Sequence, residues 1–237
     1  MKRFYLEKDL TQNQEIVIED DLYNQMINVL RMNKGDEFIL FNGSEFDFVC
    51  EIIEVQKKKL IIKVLTKKEN TANPKVNITL FQALVKGEKF ELITQKITEI
   101  GVSNLVPFTS TFCDVKENTT KINRLPKITI ESCKQCGRSI PVKINEVVKF
   151  NKMCEMLTGF DIVIFAYEKA QKPLKVEPIM AQNIAIIVGS EGGFSEEEAR
   201  KLCAIKNVQM ISLGSTILRA ETAAITLSST IKFLSQK

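Results

Sequence analysis

The 237-residue sequence predicts an α/β protein: a mainly parallel sheet covered by helices, preceded by a small, mostly β module. Three observations predict it. From Val76 onward, short apolar runs alternate with segments of helical periodicity. Before that point, Asn42-Gly43 separates two runs of strand character, a hairpin signal because both residues tolerate positive φ. Between the two regimes lies Thr66–Lys75, a polar stretch with a proline that reads as a linker. The predicted domains are therefore 1–70 and 71–237.

In the first module, Leu22, Met26 and Leu30 are spaced for one short helix, with Asp20 or Asp21 near its start. Phe38–Phe41 is a strand. Phe46, Phe48, Cys50 and Ile52 share one face of the next. Lys57–Lys59 is a turn, read as solvated in preference to an RNA contact, and Leu60–Leu65 is a third strand. In the second domain, Ile78–Val85 is an apolar strand. Glu88–Ile100 carries Phe90, Ile93, Ile97 and Ile100 at helical spacing, with Gly101 as its C-cap. Leu105–Phe108 is a strand, and Lys121–Cys136 a helix ending near Gly137. Asp161–Ala166, Ile184–Val188 and Gln209–Leu213 read as buried parallel strands. Ser195 with Glu198 forms a capping box that opens a helix to about Ile205, and a last helix runs from Glu221 to Leu234.

Composition narrows the chemistry. The chain is 44% hydrophobic and 26% charged, enough to bury a core. No apolar run reaches the roughly 18 residues of a membrane span, and Met1–Tyr5 leads into charged residues without the apolar core of a signal peptide. A cytoplasmic protein is expected. There is no histidine, which removes Ser-His-Asp and Cys-His hydrolases, most catalytic metal sites and any imidazole base. Cys133 and Cys136 form a C-x-x-C pair. No second pair exists to complete a zinc site, so reduced thiols packed on a helix are preferred over a metal or redox role. Net charge is only +4, but residues 71–150 hold 12 basic and 7 acidic side chains, against 11 and 13 in residues 1–70. That middle excess suits attraction to phosphates or an ordinary solvated surface.

Three buried strands leave through loops of unusual composition: Tyr167-Glu168-Lys169, Gly189–Phe194 and Gly214–Thr222. Ligands of parallel sheets bind outside the carboxyl ends of strands. Glycine there admits a ligand to the backbone because no Cβ intervenes. Neither G-x-G-x-x-G nor a P-loop is present, so a dinucleotide site is not indicated, while a generic phosphate loop stays open because the following helix N-terminus favours anions.

These residues carry a resemblance. Gly189-Ser190-Glu191-Gly192-Gly193-Phe194-Ser195, Leu213-Gly214 and Ile217–Ala224 resemble the RsmE family of SPOUT methyltransferases, which methylate N3 of a uridine in small-subunit (16S) ribosomal RNA. Val29-Leu30-Arg31, Gly35-Asp36, Leu40–Gly43, Lys86–Lys89, Gln95-Lys96, Glu99–Val102, Gln135–Arg138 and Pro141 fall in the same order as that family's other motifs. The resemblance implies a PUA-like RNA-binding β-barrel, then a SPOUT domain whose C-terminal segment forms a trefoil knot, an exception to the rule of unknotted chains. It also implies S-adenosyl-L-methionine as cofactor, ribosomal RNA as substrate, a homodimer as the working unit, and no membrane. Carried over by position, the cofactor site is Tyr167, Glu168, Gly189, Ser190, Glu191, Gly192, Gly193, Leu213, Gly214, Leu218 and Arg219. Glu191 either caps local amides or lines the pocket. RNA contacts fall to Arg3, Arg31, Lys86 and Arg138.

Three positions depart from the family pattern. Gln25 stands where histidine is common, Ser190 where proline is common, and Ser215-Thr216 where proline and a basic residue are common. Uracil N3 becomes nucleophilic only on losing its imide proton, which spreads charge onto O2 and O4. Arg138 and Arg219 are the candidate cations for that charge, and a carboxylate or solvent takes the proton. Because N3 lies on the Watson–Crick edge, the base must be unpaired or flipped out. The alternative function is a non-enzymatic RNA-binding or ribosome-assembly factor on the same fold.

Overall fold

A computed structural model describes residues 1–114, 122–174 and 177–235. The chain divides into two compact units, Met1–Asn73 with Cys133–Pro141, and Pro74–Ser132 with Val142–Lys237.

The first unit is built on a five-stranded curled half-barrel, in the order β1-β3-β4-β5-β2. Its strands are β1 (Arg3–Tyr5), β2 (Glu15–Ile18), β3 (Glu37–Phe41), β4 (Phe46–Val55) and β5 (Leu60–Glu69). Alternation decides the inner face: Phe48, Cys50 and Ile52 of β4 are buried while their neighbours are half-exposed. At the β3–β4 turn only Gly43 takes positive φ, +87°. Asn42 uses its side chain instead, its Oδ1 accepting Ser44 N at 3.2 Å and Ser44 Oγ at 2.6 Å. Strand β5 runs on through Lys67 and Lys68, paired with β4, so the polar stretch after Thr66 begins as strand and not as linker. The ladder satisfies its backbone, and Lys67 lays its ammonium 3.8 Å from the Phe46 ring centroid. Helix α1 (Asp20–Tyr23) widens into a π-helical stretch, Asn24–Val29, which buries Met26.

Cys133–Pro141 belongs to this unit because its backbone is held by side chains of the first 73 residues. Asn70 Nδ2 donates to Gly137 O and Ser139 Oγ, each at 2.8 Å. Asn73 Oδ1 accepts the amides of Ser139 and Ile140 at 3.0 and 3.1 Å. Arg3 reaches Arg138 O at 3.2 Å and grips Asp47 through both oxygens at 2.6 and 2.8 Å. Asp47 also accepts the Ser139 hydroxyl.

The second unit is a seven-stranded, all-parallel sheet in the order β12-β10-β11-β6-β7-β8, with β9 also on β7. These strands are β6 (Asn77–Ala83), β7 (Asn104–Thr109), β8 (Lys143–Ile144), β9 (Val148–Lys149), β10 (Ile162–Ala166), β11 (Asn183–Val188) and β12 (Val208–Ile211). Both faces are covered, so the central strands are apolar throughout. Ile184, Ile186 and Val188 of β11 enter the core shared with α2 (Lys89–Ile100) and α6 (Ala220–Leu234). Ala185 and Ile187 enter the opposite core with α4 (Phe150–Met156) and α5 (Glu196–Cys203). Helix α2 buries Phe90, Ile93 and Ile97 and stops at Gly101, φ +108°. Helix α3 (Leu125–Cys136) starts within the predicted span, whose first residue, Lys121, lies outside the described residues. Pro126 in its first turn needs no amide partner. The capping box of α5 forms in full, Ser195 with Glu198. Among the described residues, no helix is long and apolar enough to cross a membrane.

Candidate functional site

Strand order places β10, β11 and β12 with their carboxyl ends together: Phe165 is in register with Ile187, and Ala166 with Ile211. Their exits enclose a cavity of about 280 Å³, just below the roughly 300–1,000 Å³ usual for small-molecule clefts. The sheet's strand order reverses direction here, where parallel α/β sheets take ligands.

The exit of β11 is a tight turn. Gly193 N donates to Ser190 O at 3.1 Å. Gly193 has φ +66°, and a Cβ on it would lie 3.1 Å from Glu168 Oε1; one on Gly189 would lie 2.8 Å from Phe194 Cε2. Phe194 forms a base under the loop, edge-on to Phe165 at 4.9 Å and stacked with Phe108 at 6.1 Å. Gly192 differs. Its Cβ would meet Phe112 Cβ at 2.7 Å and Phe112 O at 2.8 Å, so its bare backbone serves a contact with the turn after β7. Gly192 is not among the residues that line the cavity.

The other ten residues carried over by position do line it: Tyr167, Glu168, Gly189, Ser190, Glu191, Gly193, Leu213, Gly214, Leu218 and Arg219. Tyr167 is tied to the β12 side by Tyr167 N to Ile211 O, 3.0 Å. Ser190 is buried and donates its hydroxyl to Phe112 O at 3.1 Å. Glu191 both lines the cavity and caps an amide: its Oε1 accepts Lys89 Nζ at 2.7 Å and Lys86 N at 3.2 Å. Burial of that carboxyl raises its pKa. Hydrogen bonds from Lys89, its own amide and the Lys86 amide, with the Lys89 charge, outweigh burial and hold it below the ordinary 4.5. Beyond β12, Gly214 takes φ +121°, with nothing within 4 Å of a would-be Cβ. Leu213 and Leu218 are half-buried against the sheet core, while Arg219 is exposed at the N-cap of α6. Sequence reasoning did not single out Phe194, Ser212 and Ile217 as lining residues. Their signal was adjacency to the glycines, which says nothing of which way a side chain turns.

The remaining candidates sit as follows. Arg3 is engaged by Asp47 and lies 5.3 Å from the Phe41 ring centroid. Arg31 is exposed, with φ +52°. Lys86 is exposed and paired with Asp114 at 2.7 Å. Arg138, in the first unit, is only 2% exposed, and burial pushes its pKa below the ordinary guanidinium value. It is therefore not presented to solvent in the single chain. The cavity lining is drawn from the second unit alone. Cys133 and Cys136 are free thiols. A hydrogen bond with Cys136, and then burial, push the Cys133 thiol up, so it stays protonated and a poor nucleophile.

A parallel sheet with a glycine-walled cavity at the ends of its strands defines an α/β protein that binds a small organic ligand. The RNA methyltransferase domain family matches residues 71–232, and the RNA methyltransferase PUA domain family matches 18–65. The chain belongs to this RNA methyltransferase family. It is 31% identical to ribosomal RNA small subunit methyltransferase E of Rickettsia conorii, over 98% of this chain and 95% of that one. It is 36% identical to the protein of the same name from Buchnera aphidicola, over 94% and 89%. Among solved structures, a methyltransferase of Legionella pneumophila in complex with SAM superposes with a TM-score of 0.86 at 29% identity, covering 98% of this chain and 97% of that one. Ribosomal RNA small subunit methyltransferase E of Neisseria gonorrhoeae, bound to S-adenosyl methionine, gives 0.86 at 25%, covering 99% and 98%.

Proposed function

We propose that this chain is an S-adenosyl-L-methionine-dependent methyltransferase of small-subunit ribosomal RNA, and that its acceptor is N3 of a uridine. The observation that carries the reading is the cavity at the ends of β10, β11 and β12. Its residues fit the cofactor: glycine backbone forms the close walls, where Cβ atoms on Gly189 and Gly193 would strike Phe194 and Glu168. Leu213 and Leu218 offer apolar surface, and Glu168 and Arg219 offer charge at the margin. Glycines 189 and 193 with Leu213, Gly214 and Leu218 would hold the group.

When bound, the cofactor supplies an electrophilic methyl group. The chain's own task is to align the attacking nitrogen and stabilise the charge it develops. Arg219 is exposed at the N-terminal end of α6, where helix amides add positive potential, so it suits the anionic O2 and O4 of a deprotonated uracil. The imide proton passes to a carboxylate or to solvent. Arg31 and Lys86, both exposed, are the RNA-contacting cations of this reading.

The same reading includes a homodimer and a trefoil-knotted C-terminal segment. Support for the knot comes from the chain path. Ser212 N donates to Lys172 O at 2.7 Å, Ile179 N donates to Leu234 O at 2.9 Å, and α6 returns to pack on α2, β6 and β11. The test is to map methylated bases in ribosomal RNA from cells with and without the protein. Loss of one N3-methyluridine from small-subunit RNA is expected. An unchanged pattern overturns the reading and favours an assembly factor without chemistry.

A further inference from the structure

Gln82 lies on β6, fully buried, in register with Val188 of β11. A primary amide in the middle of an apolar parallel sheet is costly unless its groups are used. Its Nε2 donates at 3.0 Å to Gly189 O, the first carbonyl of the glycine loop, and at 3.0 Å to Ala83 O. Two carbonyl acceptors fix which end of the amide points there. Among the described residues, Gln82 Oε1 meets no donor, so the amide nitrogen alone sets the orientation. Gly189 has no Cβ to lock its peptide by packing, and its carbonyl is where β11 ends and the cavity wall begins.

We propose that Gln82 is a positioning residue for cofactor binding: it fixes the Gly189 peptide and so sets the wall of the cavity from beneath. This rests on the reading of the cavity as the S-adenosyl-L-methionine site. Gln82 touches no part of the cavity, so it acts only through Gly189.

The chemistry gives a distinctive test. Gln82→Met keeps length and volume but removes both donors. Gln82→Glu keeps the shape, but a carboxylate faces two carbonyl oxygens, whereas the neutral acid donates to one of them. Burial without a cation raises a carboxyl pKa, which brings this titration toward neutral pH. Affinity for S-adenosyl-L-methionine is measured by calorimetry on folded protein across pH 6 to 9, as a ratio to the unaltered chain. Gln82→Met should weaken binding by about 10-fold at every pH. Gln82→Glu should bind more tightly at the acid end and lose affinity as pH rises. A structural role alone would lower melting temperature and leave these ratios at unity. Unit ratios for both variants, at every pH, overturn the proposal. If the unaltered chain itself fails to bind, the cofactor reading falls and the proposal falls with it.

Discussion

Gly192 stands against Phe112 so closely that a Cβ would lie 2.7 Å from the Phe112 Cβ and 2.8 Å from its carbonyl oxygen. The glycine loop is thus fitted to the turn after β7 on one side while it walls the cavity on the other. Gly192→Ala should destabilise the fold by about 1–3 kcal/mol, as overpacking does. It should also weaken cofactor binding, because relief requires the Ser190–Phe112 hydrogen bond to open. Urea unfolding and calorimetry measure the two effects. A variant as stable as the parent would mean that the loop yields without cost.

Glu198 holds two segments at once. Its Oε2 accepts Ser195 N at 2.9 Å in the capping box, and its Oε1 accepts Thr111 N at 2.8 Å. Ser195→Ala removes only the cap, for about 0.5–2 kcal/mol. Glu198→Ala should cost more, because it removes two acceptors, one for the Ser195 amide and one for the Thr111 amide, each bond worth about 0.5–1.5 kcal/mol. Equal losses in urea unfolding would show that the bridge to Thr111 adds nothing.

Asp47 makes the first unit acid-sensitive. Burial raises its pKa, but hydrogen bonds from Arg3, Ser139 and Asn70 and the Arg3 charge lower it further, to below the ordinary 3.8. A carboxyl with a depressed folded pKa contributes stability above its unfolded value and loses it as pH falls through the folded one. That contribution is therefore complete above pH 3.8 and disappears below it. Asp47→Asn should lower stability at neutral pH and flatten the acid limb of the unfolding midpoint. An acid limb as steep as the parent's would assign the sensitivity to other carboxyls.

Arg138 is 2% exposed. Its long side chain buries apolar length as well as charge. Arg138→Ala should therefore destabilise the protein, by about 1–3 kcal/mol, and methyl transfer should fall only with the folded fraction. A loss of about 10²–10³-fold in fully folded protein, with cofactor affinity intact, would instead make its guanidinium a group that contacts the developing charge, as the resemblance implies.

Much of the second unit was legible because local chemistry and burial agree there. Ile184–Val188 is apolar at every position, and a strand covered on both faces must be. Phe90, Ile93 and Ile97 repeat at helical spacing, Gly101 stops the helix, and Ser195 with Glu198 starts another. Two of the cavity's three loops were legible from glycines near the ends of buried strands, Gly189 after β11 and Gly214 after β12, and the third, Tyr167-Glu168-Lys169, from its place at the exit of an apolar strand. Less visible was Thr66–Glu69, where lysines mask a strand that is paired along the β4 ladder. The two-residue strands β8 and β9 and the short helix α4 carry too few residues to show a period.

By itself, then, the sequence determined the longer strands and helices and the loops that lack side chains, because periodicity and the missing Cβ are local properties. Tertiary structure decided three things that no local pattern encodes. Residues 133–141 group with the first unit because Asn70, Asn73 and Arg3, distant in the chain, hydrogen-bond to that segment. Gly192 has to be bare on the side of Phe112, because the turn after β7 packs where its side chain would be. Gln82 belongs to the site because β6 lies beside β11, which puts its amide 3.0 Å from a carbonyl 107 residues away. Hydrogen bonds and steric contacts act over a few ångströms of space, whatever the separation along the chain.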